Sequence, residues 1–324
     1  MNVFHVPVRP PLSSVKNVII SVNPKAGRTS PMRKAEELRD RLRAKNFTVD
    51  LLTDLDEVVQ KANERFAAGD LQALAGVGGD GTAATLVNRT VPGVPITLLA
   101  AGTANLLSKH YRLGSSPKRL AGIIEGGKTK IFDAGIARSF SDGTVTERLF
   151  LVMVSCGFDA DVVSGVHRHR EERYQQGHKK GAHISYFSYI KPVLRSLTGY
   201  RFPQINVETT NTDAAVVFPV RWAFVFNINR YGWGLPLAPF AQESDGKLDA
   251  VLFSGGSVLH GVGYTALAQC FGMHRYLRSA VLHQGVNFRL TSNEPVPFQL
   301  DGDPGGHLPL EIETVPKRVT FLIP

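Results

Sequence analysis

Two cysteines in 324 residues, Cys156 and Cys270, are too few for a disulfide framework. Both lie in apolar surroundings and read as small core residues of a chain kept in a reducing cytosol. Long hydrophobic runs are also lacking. None approaches the roughly 18 residues that a membrane span needs, so any membrane contact is expected to be peripheral. Residues Met1 to Ser14 hold three prolines and no continuous apolar stretch, which argues against a secretory signal and for a short flexible arm. There is no internal repeat, low-complexity tract or long linker, which excludes repeat architectures. The first strand-like run is not followed by Gly-x-Gly-x-x-Gly, so the dinucleotide fingerprint is missing. The cations are not grouped in a recognised nucleic-acid module, and nucleic acid is not expected as a partner.

What is present is an ordinary globular composition, 43% hydrophobic and 20% charged, long enough for one large or two medium domains. The net charge of +9 favours an anionic partner, whether a nucleotide or an anionic membrane surface. The first 130 residues or so alternate strand and helix signals. Asn17 to Val22, Phe47 to Leu52, Leu71 to Val77 and Pro95 to Ala100 read as strands, and Pro31 to Lys45 and Leu55 to Ala68 as helices. Alternation of this kind implies a parallel sheet covered on both faces, with ligands beyond the C-terminal strand ends. The small-residue loops Asn23–Gly27, Gly78–Thr82 and Gly102–Asn105 all fall at such ends. From about Lys128 the runs become strand-like and turn-punctuated: Arg148–Cys156, Gln204–Glu208, Ala215–Asn227, Leu248–Phe253, Ala280–Leu290 and Val319–Ile323. Two helical insertions are expected, Ala182 to Leu197 and Val258 to Leu277. The expected architecture is a three-layer α/β domain over residues 1–132, completed by about 312–324, and a mainly antiparallel β-sandwich over 133–311.

The most telling stretch is Gly78-Gly79-Asp80-Gly81-Thr82, between a buried strand and a helix running to Arg89. Glycines let the backbone approach a ligand closely, and the free amides of a helix start favour an anion. The loop does not end in Gly-Lys-Ser/Thr, so it is not a P-loop of the usual kind. Asp80 makes sense beside a phosphate if a divalent metal lies between them. The cation-rich segment His167-Arg168-His169-Arg170 to Lys179-Lys180, followed by the amphipathic run Ala182–Leu197, fits a membrane surface as well as a packed surface helix.

Five segments in order resemble the diacylglycerol kinase catalytic-domain family, which includes bacterial YegS-like lipid kinases, sphingosine kinases and ceramide kinases. Asn23-Pro24-Lys25-Ala26-Gly27 resembles its Asn-Pro-x-x-Gly loop. Gly78 to Thr82 is similar to its central motif in full. Gly102-Thr103-Ala104-Asn105 resembles its Gly-Thr-x-Asn-Asp loop, with Leu106 at the last position. Asp245-Gly246-Lys247-Leu248-Asp249 resembles its Asp-Gly-x-Leu-Asp segment, and Gln299-Leu300-Asp301-Gly302-Asp303 its Gln-x-Asp-Gly-Glu motif, with Asp303 for the glutamate.

The resemblance implies an ATP- and Mg2+-dependent kinase for a lipid hydroxyl, with its active site in the cleft between two domains. It implies that Asn23, Pro24, Lys25, Ala26, Gly27, Thr53, Gly78, Gly79, Asp80, Gly81, Thr82 and Thr103 surround ATP. Asp80 would help hold Mg2+, and Asp133 would support Asp80. Asp245, with the carbonyls of Gln242 and Lys247, would form a structural metal site. Asp303 would be the base, with Asp301 sharing the role. The expected partners are a lipid substrate at the cytosolic face of the membrane and, as one option, a second copy in a homodimer. Two other readings stay open: an NAD kinase-like phosphotransferase, although no Asn-Glu pair follows the third loop closely, and a non-catalytic nucleotide- or lipid-binding regulator.

Overall fold

The computed structural model of the protein describes residues 16–22, 31–141, 143–175, 199–210, 215–232, 234–270 and 272–324. The Met1–Ser14 arm, the Asn23–Gly27 loop, Lys179-Lys180 and the Ala182–Leu197 insertion lie outside them. The chain divides into two compact units, Met1–Phe132 with Lys317–Pro324, and Asp133–Pro316.

Unit 1 alternates strand and helix: β1 (Asn17–Val22), α1 (Pro31–Arg43), β2 (Thr48–Leu52), α2 (Leu55–Ala67), β3 (Ala73–Gly78), α3 (Asp80–Arg89), β4 (Pro95–Ala100), α4 (Leu106–His110) and α5 (Pro117–Gly126). The strands run parallel in the order β2-β1-β3-β4. Thr320 and Phe321, near the chain's end, pair in parallel with Pro95 and Ile96 and extend this sheet. Every residue of β3 and β4 is buried, as expected for strands covered on both faces. Helix α1 turns Ala35, Leu38 and Leu42 inward. Helix α2 starts where the Asp54 side chain accepts from the Glu57 N–H, satisfying one of the amides that a helix start leaves unpaired.

Unit 2 is a sandwich of two largely antiparallel sheets. Its strands are β5 (Thr129–Ser141, which begins in unit 1), β6 (Thr144–Phe150), β7 (Met153–Cys156), β8 (Ile205–Thr210), β9 (Ala215–Val220), β10 (Trp222–Phe226), β11 (Leu248–Phe253), β12 (Ala280–Gly285), β13 (Asn287–Thr291), β14 (Pro297–Leu300), β15 (Asp303–His307) and β16 (Leu310–Leu322, which ends in unit 1). One sheet has the order β12-β11-β10-β7-β14-β15; the other contains β16-β13-β8-β9 with the β5–β6 hairpin. Phe150, Val154, Ile205, Val225, Leu252, Phe288, Phe298 and Ile312 fill the core of this unit. Helices α6 (Phe158–Gln175) and α7 (Val258–Gln269) and a 3-10 turn, Met273–Tyr276, complete the described elements. Among the described residues, no helix is long and apolar enough to cross a membrane.

The fold class is as expected, but three runs read as single strands are each two. Arg148–Cys156 breaks at Leu151 and Val152, Ala215–Asn227 at Arg221, and Ala280–Leu290 at Val286, and each passes from one sheet to the other. Both halves of such a run face one shared core, so the apolar pattern continues across the corner and hides it. The helix expected over Val258–Leu277 ends at Gln269, because Cys270 leaves helical geometry and Gly272 takes φ +70°. Helix α6 was not anticipated.

Candidate active site

The C-terminal ends of β1, β3 and β4 lie level at one edge of the unit 1 sheet, with Val22 opposite Val77 and Gly78 opposite Ala100. Thr53 is exposed just past the end of β2. The glycines here serve close packing. A Cβ on Gly78 would meet Thr82 Oγ1 at 2.0 Å, and one on Gly102 would meet the Gly79 Cα at 2.7 Å. The second and third loops therefore press backbone to backbone. Asn105 takes a left-handed conformation and closes its own loop: its Oδ1 accepts from the Gly102 N–H at 3.0 Å and its Nδ2 donates to the Gly102 carbonyl at 2.7 Å.

Helix α3 begins at Asp80, and its N-cap Gly79 offers no side-chain cap. Gly81 and Thr82 occupy its first turn, and Thr103 lies in the loop after β4. Lys34, on α1, donates from Nζ to the Ala100 carbonyl at 3.0 Å, and partial burial lowers its pKa. An uncapped helix start and an ammonium group at one sheet edge form an anion-binding arrangement. Sequence reading missed Lys34, because a lysine in a first helical turn looks like any solvated cation.

Asp80 itself is buried. Its Oδ2 accepts from the Leu106 N–H and its Oδ1 from the Leu107 N–H, each at 2.9 Å. Burial raises its pKa, and those two backbone bonds oppose the rise. In this structure the carboxylate clamps the start of α4 to the glycine loop, with one backbone N–H on each of its oxygens. Leu106, at the position where the resembling family has Asp, supplies one of the clamped amides.

The acidic turn of unit 2 lies between β14 and β15. Asp301, at φ +52°, accepts from the N–H groups of Leu151 (2.8 Å), Val152 (2.8 Å) and Met153 (3.0 Å). It thus holds the corner between β6 and β7, which leaves it poorly placed to share the base role. Asp303, two residues on, is 42% exposed and receives a 2.7 Å bond from Arg148 Nη2. His167 on α6 brings Nε2 to 3.2 Å from the Gly302 carbonyl oxygen and 4.0 Å from Asp303 Oδ1.

Beneath the turn lies a polar network. Gln299 is buried; its Oε1 accepts from the Gly302 N–H at 2.7 Å, and its Nε2 donates to Ser155 Oγ at 2.8 Å and Asp159 Oδ2 at 3.3 Å. Ser155 and Tyr231 both donate to Asp159, whose pKa burial raises. Arg148, Asp159 and Tyr231 escaped sequence reading, and His167 entered it only as the start of the cation-rich segment. Asp159 had a usable signal, since β7, Gly157 and α6 repeat the strand–glycine–helix order of the central motif.

The third acidic segment is also in unit 2. Asp245 accepts from the Lys247 N–H at 3.0 Å and from Gln284 Nε2 at 2.9 Å. Asp249 is half-buried with its Oδ2 unpartnered, and burial, then the Asp245 charge, push its pKa up to about 6. Two neighbouring carboxylates, one with an orphaned buried oxygen, fit a hard divalent cation. Gln242 lies exposed at the start of this segment. Asp133, expected to support Asp80, accepts from the Gly246 N–H at 2.8 Å, which ties its carboxylate to this segment.

A parallel α/β unit with a glycine-rich edge is joined in one chain to an antiparallel sandwich bearing acidic turns, and the family matches and kinase relatives of this chain support a phosphotransferase of the kinase type. Residues 17–137 match the diacylglycerol kinase catalytic domain, and residues 152–323 match the YegS C-terminal NAD kinase beta sandwich-like domain. The chain belongs to the diacylglycerol kinase catalytic-domain family. It is 26% identical over 330 residues to a diacylglycerol kinase of Mycobacterium tuberculosis, covering 96% of each chain. A crystal structure of a diacylglycerol kinase from Bacillus anthracis superposes with a TM-score of 0.63 at 15% identity, over 96% of this chain and 98% of that one. A yeast NADH kinase complexed with NADH gives 0.53 at 11% identity, over 95% and 82%. At such identities the structures speak to the fold alone.

Proposed function

We propose that this chain is an ATP- and Mg2+-dependent lipid kinase that phosphorylates a hydroxyl of a diacylglycerol-like or sphingoid-like lipid at the inner membrane face. The observation that carries the reading is the sheet edge of unit 1, where the uncapped start of α3, the abutting glycines and Lys34 meet. Thr53, Gly78 to Thr82 and Thr103 line the nucleotide there, with Asn23 to Gly27 extending the same edge by sequence. Mg2+ bound with the nucleotide supplies charge neutralisation for phosphoryl transfer. A second Mg2+ fits Asp245 and Asp249, with the carbonyls of Gln242 and Lys247.

The chain's own residues then have separate tasks. Asp80 fixes α4 against the glycine loop, so that the loop backbone meets the phosphates without reorganising. Asp303 accepts the proton of the lipid hydroxyl. Arg148 orients that carboxylate, which matters because Asp303 is one methylene shorter than the family's glutamate, and a shift near 1 Å can cost about a hundredfold in rate. Asp301 and Gln299 keep the turn in place.

The test incubates the purified protein with labelled ATP, Mg2+ and dispersed diacylglycerols, monoacylglycerols, sphingoid bases, ceramide and phosphatidylglycerol, with NAD alongside. Label in a lipid is the expected result. Label in NAD alone would establish the NAD kinase reading, and ATP binding without transfer to any acceptor would establish the regulator.

A further inference from the structure

Helix α7 breaks the rule that a surface helix carries its charges outward. It contains no Asp, Glu, Lys or Arg. Its inner face is settled by packing: Gly261 lies against the Trp222 ring, where a Cβ would come within 2.5 Å, Tyr264 stacks on Phe253 at 4.1 Å between centroids, and Ala268 is buried. Leu259, Val262 and Ala266 follow the same three- and four-residue spacing on the opposite side. Leu259 is 83% exposed and Val262 62%.

The 3-10 turn packed beside α7 adds Met273 and Tyr276, the latter 71% exposed, and Phe240 joins them. Arg275 binds this group together, its guanidinium 5.4 Å from the Phe240 ring centre and 4.7 Å from that of Tyr276. Beneath the surface the buried His274 ring bonds the Leu237 carbonyl at 2.8 Å.

Charge decides what such a surface meets. Residues 250–293 contain no Asp or Glu, while Arg275 lies in the patch, donating to the Tyr276 hydroxyl at 2.6 Å, and Arg278 is exposed two residues after the turn; among the described residues neither is in an ion pair. An apolar face with aromatics and arginines that have no acidic partner among the described residues has the composition of an interfacial membrane contact. A second copy of this chain would bring the same cations against themselves. We propose that α7 and the Met273–Tyr276 turn form a docking surface for an anionic lipid bilayer, with Leu259, Val262 and Tyr276 inserted among the headgroups. It deepens the lipid-kinase reading by naming the face that meets the membrane, but it rests on different residues.

The test is co-sedimentation of the full chain with vesicles of phosphatidylcholine alone and of phosphatidylcholine mixed with phosphatidylglycerol. The wild type is expected on the anionic vesicles. Leu259→Gln with Val262→Gln should weaken that association at least tenfold or so. Arg278→Ala should weaken it roughly fivefold at low salt. Cys270 is exposed at the end of α7 and Cys156 is buried, so an environment-sensitive dye on Cys270 should shift to the blue on anionic vesicles only. Equal vesicle affinity of the double variant at an unchanged melting temperature would overturn the proposal. So would an unshifted dye on vesicle-bound protein, or a double variant that turns a dimer into a monomer while binding vesicles as before. Transfer to a short-chain, water-dispersed diacylglycerol should be the same in wild type and double variant. A wild type that binds vesicles but phosphorylates no lipid would sink the kinase reading and leave the docking surface standing.

Discussion

The glycine-loop edge of unit 1 and the acidic turn of unit 2 are each organised by an aspartate that serves the backbone. Asp80 takes the amides of Leu106 and Leu107, and Asp301 those of Leu151, Val152 and Met153. The two regions differ in what is left over. At the edge of unit 1 the carboxylate is buried and bonded to backbone, and the groups beside it are positive: a helix start and the half-buried Lys34. At the acidic turn a second carboxylate, Asp303, stays exposed and is held by side chains alone. In the proposed reading, one region receives an anion and the other offers a base. An aspartate's place in a motif does not tell which task it has; its hydrogen-bond partners do.

Two substitutions test that division most strongly. Asp303→Asn should lower kcat by about 10²- to 10⁴-fold in the labelled-ATP assay, the usual worth of a positioned base, and leave the melting temperature unchanged. Retained turnover would show that the base lies elsewhere. Asp80→Ala should act through the fold, because two buried amides lose their acceptor. The expected loss is about 2–4 kcal/mol in urea unfolding, with Asp80→Asn losing less. An Asp80→Ala protein of wild-type stability without activity would break the comparison and return Asp80 to the metal. A smaller effect should follow from Gly102→Ala. Its Cβ would meet the Gly79 Cα at 2.7 Å and Asn105 Oδ1 at 2.9 Å, so about 1–3 kcal/mol should be lost along with nucleotide affinity. Gly122→Ala in α5, where nothing lies within 4 Å, should be neutral or stabilise by up to about 1 kcal/mol.

The parallel half of the fold was legible because its strands and helices differ in apolar period, with Asp54 and Ser116 capping two helices and Gly78 closing β3. Gly78 to Thr82 could be placed at a strand end from the run of apolar residues before it. The antiparallel half was legible as a class but not as a topology. Leu151, Arg221 and Val286 are corners that no local signal marks, since the strands on both sides face one core. The site followed the same divide. Loop residues announce themselves by their glycines, whereas Lys34, Arg148 and His167 act through contacts with residues 66, 155 and 135 positions away. Charge type alone does not distinguish them from solvated neighbours.

The smallest effect concerns the third acidic segment. The Asp249 carboxyl titrates at about 6 in the folded chain, above the ordinary 3.8, because it is half-buried beside Asp245. Between those values the folded chain binds more protons than the unfolded one, so stability falls as pH rises through that window and levels off above it. Burial raises Asp80 and Asp159 in the same direction, so the informative quantity is the difference between wild type and Asp249→Asn. In EDTA, the melting temperature of Asp249→Asn should fall less than that of the wild type between pH 4 and 7. Added Mg2+ should restore the wild type at pH 7, above the Asp249 value, and do little near pH 4, where protons compete for Asp249. Identical slopes for the two proteins in EDTA would show that Asp249 is not shifted, and a wild type that Mg2+ does not restore at pH 7 would show that this pair is not a cation site.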